Sequence, residues 1–349
     1  MRATHAPSAT SLAAIHAELV STVRPVSSSR PTATISVRVP RSDDIRRSAA
    51  ALARDRTAGA TALACRAARF LRAAARDDGK SLARWQQRLR MAGAAIAAAQ
   101  PAMASLLTIV DLAFHAAERA RSPATGARIV RAALDGYLAA QEESIAGAAA
   151  HLVSLLPPGA TCLTLSSSTV ASRAFLLAHR RGRLARLVIA ESRPGCEGVE
   201  VAARMASAGV RVTVIVDALA AAWAASVDAC VVGADAVTPR AVWNKCGTLG
   251  LALGARAAGR RFFVVTTSDR LVPAPLARRL RVPAAEPEAV LTSPPRGVGV
   301  ASRLFDQTPL ALVTRVVTEE GSLTAAGIRR RLARRPASAW WRSLGPISA

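Results

Sequence analysis

Short apolar runs of strand length alternate with longer amphipathic runs of helix length between residues 161 and 267. The predicted strands begin at Thr161, Leu184, Val210, Ala229 and Arg261. Strands that alternate with helices over short loops form a parallel sheet, because each right-handed crossover returns the chain to the same edge. The sequence therefore predicts an α/β fold.

The region before this sheet has a different pattern. Between residues 43 and 150, apolar residues recur at helical spacing without strand alternation, which predicts a helical domain. The predicted domains are 43–150, which is helical, and 155–338, which holds the parallel sheet. Residues 1–42 are rich in Ser, Thr, Pro and Arg and are predicted to be a disordered tail, with a transit peptide as the alternative. Residues 339–349 are predicted to be a second, loosely held tail.

Composition limits the kinds of partner. Hydrophobic residues make up 51% of the 349 residues and aromatic residues only 3%, while the formal net charge is +24. Proteins that read single-stranded nucleic acid interleave aromatic side chains with basic ones. The charge therefore predicts only weak, salt-sensitive affinity for nucleic acid. An RNA- or ribosome-associated protein remains an alternative that rests on charge alone.

The cysteines and glycines exclude several kinds of site. The five cysteines form no C-x-x-C pair and no metal-ligand spacing with the five histidines, which predicts reduced thiols, no metal and a cytoplasmic location. The sequence has no G-x-G-x-x-G after the first strand and no P-loop, so no dinucleotide or other cofactor is predicted. It also has no apolar run of membrane-spanning length, so no membrane partner is predicted.

Two rare residues stand side by side between a predicted strand and a predicted helix. Asn244 is the only asparagine of the chain, and Lys245 is one of two lysines among 47 basic residues. A lysine offers a compact point charge where arginine offers a planar fork. A helix N-terminus adds unpaired N–H groups and the positive end of the helix dipole, which together attract an anion. Asn244 and Lys245 are therefore predicted to hold a phosphate; the alternative is a turn residue followed by a chance lysine.

Three loops are predicted to meet in one crevice, because ligands of parallel sheets bind beyond the carboxyl ends of the strands. The loops span residues 166–169, 191–198 and 233–248. In the first loop, the alternative to ligand binding is that its hydroxyls cap the helix that begins at Val170. In the second, Arg193 is predicted to be a ligand-binding cation, with an ion pair to a loop glutamate as the alternative.

Several short segments, taken in their order along the chain, resemble those of a known family. This family unites the α, β and δ regulatory subunits of eukaryotic translation initiation factor 2B with two sugar-phosphate isomerases. The isomerases act on 5-methylthioribose 1-phosphate and ribose 1,5-bisphosphate. The resemblance rests on residues 55–60, 163–166, 191–194 with Gly198, 233–235, 244–248, 305–309 and 318–321. It implies a helical N-terminal domain, a Rossmann-like C-terminal domain, and a homodimer formed through the C-terminal domains. It also implies related subunits as possible partners.

The resemblance implies roles for individual residues. The isomerases work with a Cys and an Asp; the Asp corresponds to Asp235, and the Asn and Lys that hold the substrate correspond to Asn244 and Lys245. The Cys corresponds to Ser166. The remaining ligand-binding positions implied are Gly59, Ser167, Ser168, Thr169 and Arg193.

The chain departs from the isomerase pattern at four positions. Ser166 replaces the Cys, Ala58 replaces an Arg, and Glu197 and Glu200 stand where the family has Gln and Arg. A serine hydroxyl cannot ionise as a thiol does, and two added carboxylates repel an anionic ligand. Cys246 is the best remaining thiol, because Lys245 and a helix N-terminus are expected to lower its pKa.

These departures favour a protein that resembles initiation factor 2B and binds a phosphorylated sugar or nucleotide without isomerase activity. The alternative is an aldose–ketose isomerase of the ribose 1,5-bisphosphate or methylthioribose 1-phosphate type.

Overall fold

Helices form the first part of the described structure. The computed structural model describes residues 42–55, 59–282, 287–342 and 344, so the predicted N-terminal tail lies outside it apart from its last residue. The helices before the first strand are α1 Ser42–Arg54, α2 Ala60–Ala74, α3 Leu82–Ala99, α4 Ala104–Ala117 and α5 Pro123–Leu155. The predicted helical N-terminal region is therefore confirmed.

The later elements alternate as predicted. In chain order they are β1 Ala160–Thr164, α6 Thr169–Arg180, β2 Leu184–Ala190, α7 Glu197–Ser207, β3 Val212–Ile215, α8 Ala220–Trp223, β4 Ala229–Val232, β5 Ala236–Val237, β6 Ala241–Lys245, α9 Thr248–Ala257, β7 Arg261–Val265, α10 Ala274–Ala277, β8 Phe305–Pro309, β9 Arg315–Thr318, β10 Gly321–Leu323 and α11 Ala325–Ala333. No helix among the described residues is long and apolar enough to cross a bilayer.

The main sheet has the order β10-β9-β7-β4-β1-β2-β3. Its strands run parallel except β10, which is antiparallel to β9. The predicted parallel sheet is confirmed, with an antiparallel edge strand added. The chain leaves β1 toward β2 on one side and later returns to β4 on the other. The loops that follow β1 and β4 therefore flank a switch point, which is where open α/β sheets bind ligands.

The long helix α5 connects the helical region to the sheet. It begins after Ser122, whose hydroxyl caps the helix, and at about 1.5 Å per residue its 33 residues span about 50 Å. Val130 and Leu134 in its first half are buried in the core formed with α2, α3 and α4. Leu152 and Val153 near its end are buried against β1 and α6. The helix α5 therefore packs into both the core of the helical region and the core beside the main sheet.

A second sheet lies where a loop was predicted. Strands β5, β6 and β8 form an antiparallel sheet in that order, so the prediction of one continuous loop over 233–248 is wrong. Asn244 and Lys245 lie on β6, where they pair with Asp306 and Phe305 of β8. The partner strand comes about sixty residues later in the chain, so no local pattern reveals the pairing. This sheet positions the end of the crevice.

The tail predicted from residue 339 is wrong for residues 339–342. Trp340 and Trp341 are only 8% and 4% exposed. Both rings lie 5.3 Å from the ring of Phe114 on α4, measured between centroids. Trp341 Nε1 also donates a hydrogen bond of 2.8 Å to Asp111 Oδ1. Two buried aromatic side chains anchor this segment, and their partners lie more than two hundred residues earlier in the chain.

Candidate functional site

Two strained serines join the loops that follow β1 and β2. Ser166 and Ser192 have φ angles of 64° and 69°, in the left-handed region that residues with a Cβ seldom adopt. The backbone N–H of Ser166 donates to Ser192 Oγ at 2.6 Å. Ser192 Oγ in turn donates to the carbonyl of Ala190 at 2.9 Å. The strained backbone at Ser166 is thus held by a neighbouring loop; Ser192 was not predicted as a site residue.

The loop after β2 is fixed by a carboxylate from the next strand. Asp217, just beyond β3, accepts hydrogen bonds from the backbone N–H groups of Ser192 at 2.8 Å and Arg193 at 2.6 Å. A Cβ at Gly198 would lie 2.0 Å from the carbonyl oxygen of Ala190, so the start of α7 can approach β2 only with glycine there. The Arg193 side chain is exposed. Within the described residues it forms none of the ion pairs considered for it.

Glu197 connects the first loop to β6. Its Oε1 accepts a hydrogen bond from Ser166 Oγ at 3.1 Å and lies 2.6 Å from Lys245 Nζ. The side chains of Lys245 and Glu197 are 13% and 22% exposed, so solvent screens this ion pair only in part. Glu197 was predicted to repel a ligand and Lys245 to bind one. The positive charge of Lys245 therefore compensates the negative charge of Glu197.

The N-terminus of α9 is capped by the protein itself. Asp306 Oδ2 accepts hydrogen bonds from the N–H groups of Gly247 at 2.9 Å and Leu249 at 3.0 Å. The start of α9 therefore does not offer these N–H groups to an external anion as predicted, because β8 brings a carboxylate to it. Asn244 is 5% exposed, and its Nδ2 donates to Thr248 Oγ1 at 3.0 Å. Its amide nitrogen thus supports the start of α9.

Asp235 lies in the loop that follows β4, where the charges of Arg270, Lys245 and Glu197 act on its carboxyl group. Its backbone is fixed on both sides, since its N–H donates to Trp243 and its carbonyl accepts from Ala104. Its side chain is half-buried and forms no hydrogen bond with the described residues. Burial raises the pKa of this carboxyl to about 6; the cations Arg270 and Lys245 oppose the shift, and Glu197 adds to it. A carboxyl group that titrates near neutral pH can both give and take a proton.

Arg270 is a buried cation that the sequence interpretation missed. It follows β7 and is 5% exposed. Its Nη1 donates to the Ala234 carbonyl at 3.3 Å and its Nη2 donates to Thr61 Oγ1 at 3.0 Å, while its Nε has no partner in the described structure. It therefore links the first turn of α2, which begins after the exposed Gly59, to the loop of Asp235. The signal was available, because a fifth parallel strand was predicted at 261–267, and its carboxyl end was expected at the same edge of the sheet.

The hydroxyls of the first loop divide between two roles. Ser168 Oγ accepts from the N–H of Ala171 at 3.2 Å, so this serine caps α6, as the alternative interpretation predicted. Ser167 and Thr169 are exposed at the mouth of the loop. A Cβ at Gly233 would lie 2.6 Å from Ser168 Cβ, so the loops after β1 and β4 touch directly.

Residues 56–325 match the Initiation factor 2 subunit family. The chain belongs to this family. The family that was predicted from the motifs and their order along the chain is thus confirmed.

Members of the family with curated activities are similar to this chain. It is 34% identical to the ribose 1,5-bisphosphate isomerase of Archaeoglobus fulgidus over 47% of this chain and 54% of the relative, so that match spans about half of the relative's length. It is 29% identical to the 5-deoxyribose 1-phosphate isomerase of Moorella thermoacetica over 75% of this chain and 81% of the relative. The solved structure of translation initiation factor eIF-2B from Pyrococcus horikoshii OT3 has a TM-score of 0.69 at 21% identity, covering 82% of this chain and 98% of that one. At that identity the structural likeness shows the fold alone.

The Cys246 thiol lies in an environment that disfavours its ionised form. Burial raises the pKa of this thiol; Lys245 opposes the shift, and the carboxylates of Asp306, Asp217 and Glu197 reinforce it. The predicted lowering of its pKa is therefore wrong, because Lys245 is paired with Glu197 and the helix start is occupied by Asp306. The described residues contain no group of three or more potential metal ligands.

Proposed function

We propose that this protein is an isomerase that interconverts an aldose 1-phosphate and the corresponding ketose phosphate, with a phosphorylated ribose derivative as substrate. The curated relatives named above are isomerases of ribose 1,5-bisphosphate and 5-deoxyribose 1-phosphate. The activities of these relatives favour the isomerase alternative. The departures of the sequence from the isomerase pattern had favoured a protein that binds its ligand without catalysis.

The observation that carries the proposal is the state of Asp235. Conversion of an aldose 1-phosphate to a ketose phosphate opens the sugar ring and moves one hydrogen from C2 to C1. The ring oxygen must gain a proton as it leaves C1, and the C2 hydroxyl must later lose one. A carboxyl group with a pKa raised to about 6 and no hydrogen-bond partner among the described residues suits both transfers.

Phosphate recognition is assigned to the cations around this carboxyl group. Arg270 is buried and forms no ion pair with any described carboxylate, so a phosphate beside it would compensate its charge. Lys245, whose Nζ lies 2.6 Å from Glu197 Oε1, is the second cation proposed for the same phosphate. Gly59, Arg193, Ser167 and Thr169 are exposed and are further ligand positions in this proposal.

A second candidate function is binding of a sugar phosphate or nucleotide without turnover, which Ser166 at the thiol position favours. Thermal-shift titrations combined with turnover assays on ribose 1,5-bisphosphate, 5-deoxyribose 1-phosphate and 5-methylthioribose 1-phosphate separate the two. Turnover abolished by Asp235→Asn supports the isomerase. Binding without turnover supports the second function. If neither binding nor turnover is seen, both candidate functions are overturned.

A homodimer, related subunits as partners and weak nucleic-acid affinity remain predictions. Sedimentation and salt-dependent binding measurements test them.

A further inference from the structure

Two departures from the isomerase pattern are in direct contact. Ser166 stands at the position of the family thiol, and Glu197 at the position of a glutamine. Ser166 Oγ donates its hydrogen bond to Glu197 Oε1 at 3.1 Å. The site has thus lost a thiol and gained a carboxylate at neighbouring positions.

We propose that Glu197 is the base that removes the proton from the substrate carbon, in the place of the missing thiol, with Ser166 holding its carboxylate in position. This inference rests on the proposed isomerase function. The serine hydroxyl itself is too weak an acid to serve, since no histidine lies in these loops to activate it.

The geometry around Glu197 fits a base. The carboxylate is part of the first turn of α7, a rigid element seated on β2 by the close approach at Gly198. Its Oε1 is fixed by Ser166 and Lys245, while Oε2 forms no hydrogen bond with the described residues. Its titratable and charged neighbours are Lys245 of β6, Asp235 after β4 and Cys246 before α9.

Glu197 and Asp235 complement each other as base and acid. The carboxylate of Glu197 acts on the Asp235 carboxyl electrostatically and contributes to raising its pKa. Pairs of carboxyl groups whose environments differ are the usual basis for dividing acid and base roles. Here Glu197 has a lysine partner, whereas Asp235 has no hydrogen bond to any described side chain.

The proton transfers balance over a full cycle. Glu197 takes the proton from C2, and the electrons of that C–H bond form a C1–C2 double bond as the bond from C1 to the ring oxygen breaks. Asp235 gives its proton to that oxygen. Glu197 then returns its proton to C1, and Asp235 takes the proton of the C2 hydroxyl as the ketone forms. Both carboxyl groups end in their starting states, and no oxidant or reductant is consumed.

The decisive test compares Glu197→Gln with Glu143→Gln, a matched change at an exposed glutamate of α5. Loss of a positioned base typically costs about 100- to 10,000-fold in rate. We expect kcat to fall by that factor in Glu197→Gln, with binding of the substrate retained, and to stay unchanged in Glu143→Gln. Native kcat in Glu197→Gln overturns the role of Glu197 while leaving the isomerase function intact.

A second variant separates catalysis from structure. Glu197→Gln combined with Ser166→Cys restores the family's pair and should regain activity. The acidic limb of its pH–rate profile should move to higher pH, because a thiol is a weaker acid than a carboxyl group. A profile identical to that of the native protein contradicts the proposal. If the native protein is inactive on every ribose 1-phosphate but this double variant is active, Glu197 is an inhibitory substitution, and the proposed function fails together with this inference.

Discussion

Lys245 Nζ lies 2.6 Å from Glu197 Oε1, so the cation expected to bind phosphate is already paired with a carboxylate of the same chain. A phosphorylated ligand must compete with Glu197 for this lysine. The pair therefore weakens binding of the phosphate but places a carboxylate where the substrate arrives.

The first prediction is that this competition can be removed. Glu197→Gln should bind ribose 1,5-bisphosphate about 5- to 50-fold more tightly, because one desolvated ion pair between partly buried groups is worth about 1–2 kcal/mol. Isothermal titration at two ionic strengths measures the effect. Lys245→Ala should abolish the thermal stabilisation by the same ligand, whereas Lys80→Ala, at the only other lysine of the chain, should preserve it. Equal losses in both lysine variants would contradict a specific role for Lys245.

The second prediction concerns Asp235 and stability. Its carboxyl has a pKa raised to about 6, so between about pH 4 and pH 6 the folded state binds more protons than the unfolded state. Stability contributed by this group is therefore full below about pH 4 and is lost as the pH rises to about 6. Asp235→Asn should be more stable than the native protein at pH 7.5 by about 1–3 kcal/mol, with most of the difference gone near pH 4. Urea unfolding at both pH values checks this, and a native protein more stable than the variant at pH 7.5 would contradict it.

The third prediction concerns Arg270. This buried guanidinium has an Nε without a partner in the described structure and forms no ion pair there. Arg270→Met should lower the affinity for sugar phosphates at least about tenfold, since a hydrogen bond to a charged group contributes about 1.5–3 kcal/mol. It should change unfolding free energy much less, because the variant also removes a desolvated charge. Arg193→Met, at the exposed loop arginine, is the control and should have the smaller effect on affinity. The reverse order of affinities would contradict the assignment.

The main sheet was predictable because its signal is local. Strands β1, β2, β4 and β7 are short apolar runs, and β1 and β2 are each followed by a helix within a few residues. The crevice followed from the parallel order of these strands. Asp235 could be predicted as a site residue because it follows β4 closely. Lys245 could be predicted because it stands just before the helical run of α9.

The parts that were missed depend on pairings between distant segments. Asp306 caps α9 from 59 residues beyond Gly247, so the helix start looked open in the sequence. Lys245 seemed free because nothing in the sequence reveals its contact with Glu197. Trp341 resembled tail sequence because its partner Asp111 lies 230 residues earlier.

The fourth prediction tests this distant anchoring. Trp341→Ala should destabilise the protein by about 3–5 kcal/mol, the usual cost of truncating a buried tryptophan. Trp223→Ala, at a half-buried tryptophan on α8, should cost clearly less. Denaturant unfolding followed by circular dichroism gives both values. Near-equal small losses would show that residues 339–342 are as loosely held as the sequence had indicated.

The central claim is that Asp235 supports isomerisation of a ribose 1-phosphate in this crevice. The most direct measurement is NMR of the purified protein with ribose 1,5-bisphosphate, 5-deoxyribose 1-phosphate and methylthioribose 1-phosphate in deuterated water. We predict that at least one of them is converted to a ketose phosphate, and that Asp235→Asn binds the same sugar without converting it. A native protein that binds these sugars and converts none of them would contradict it.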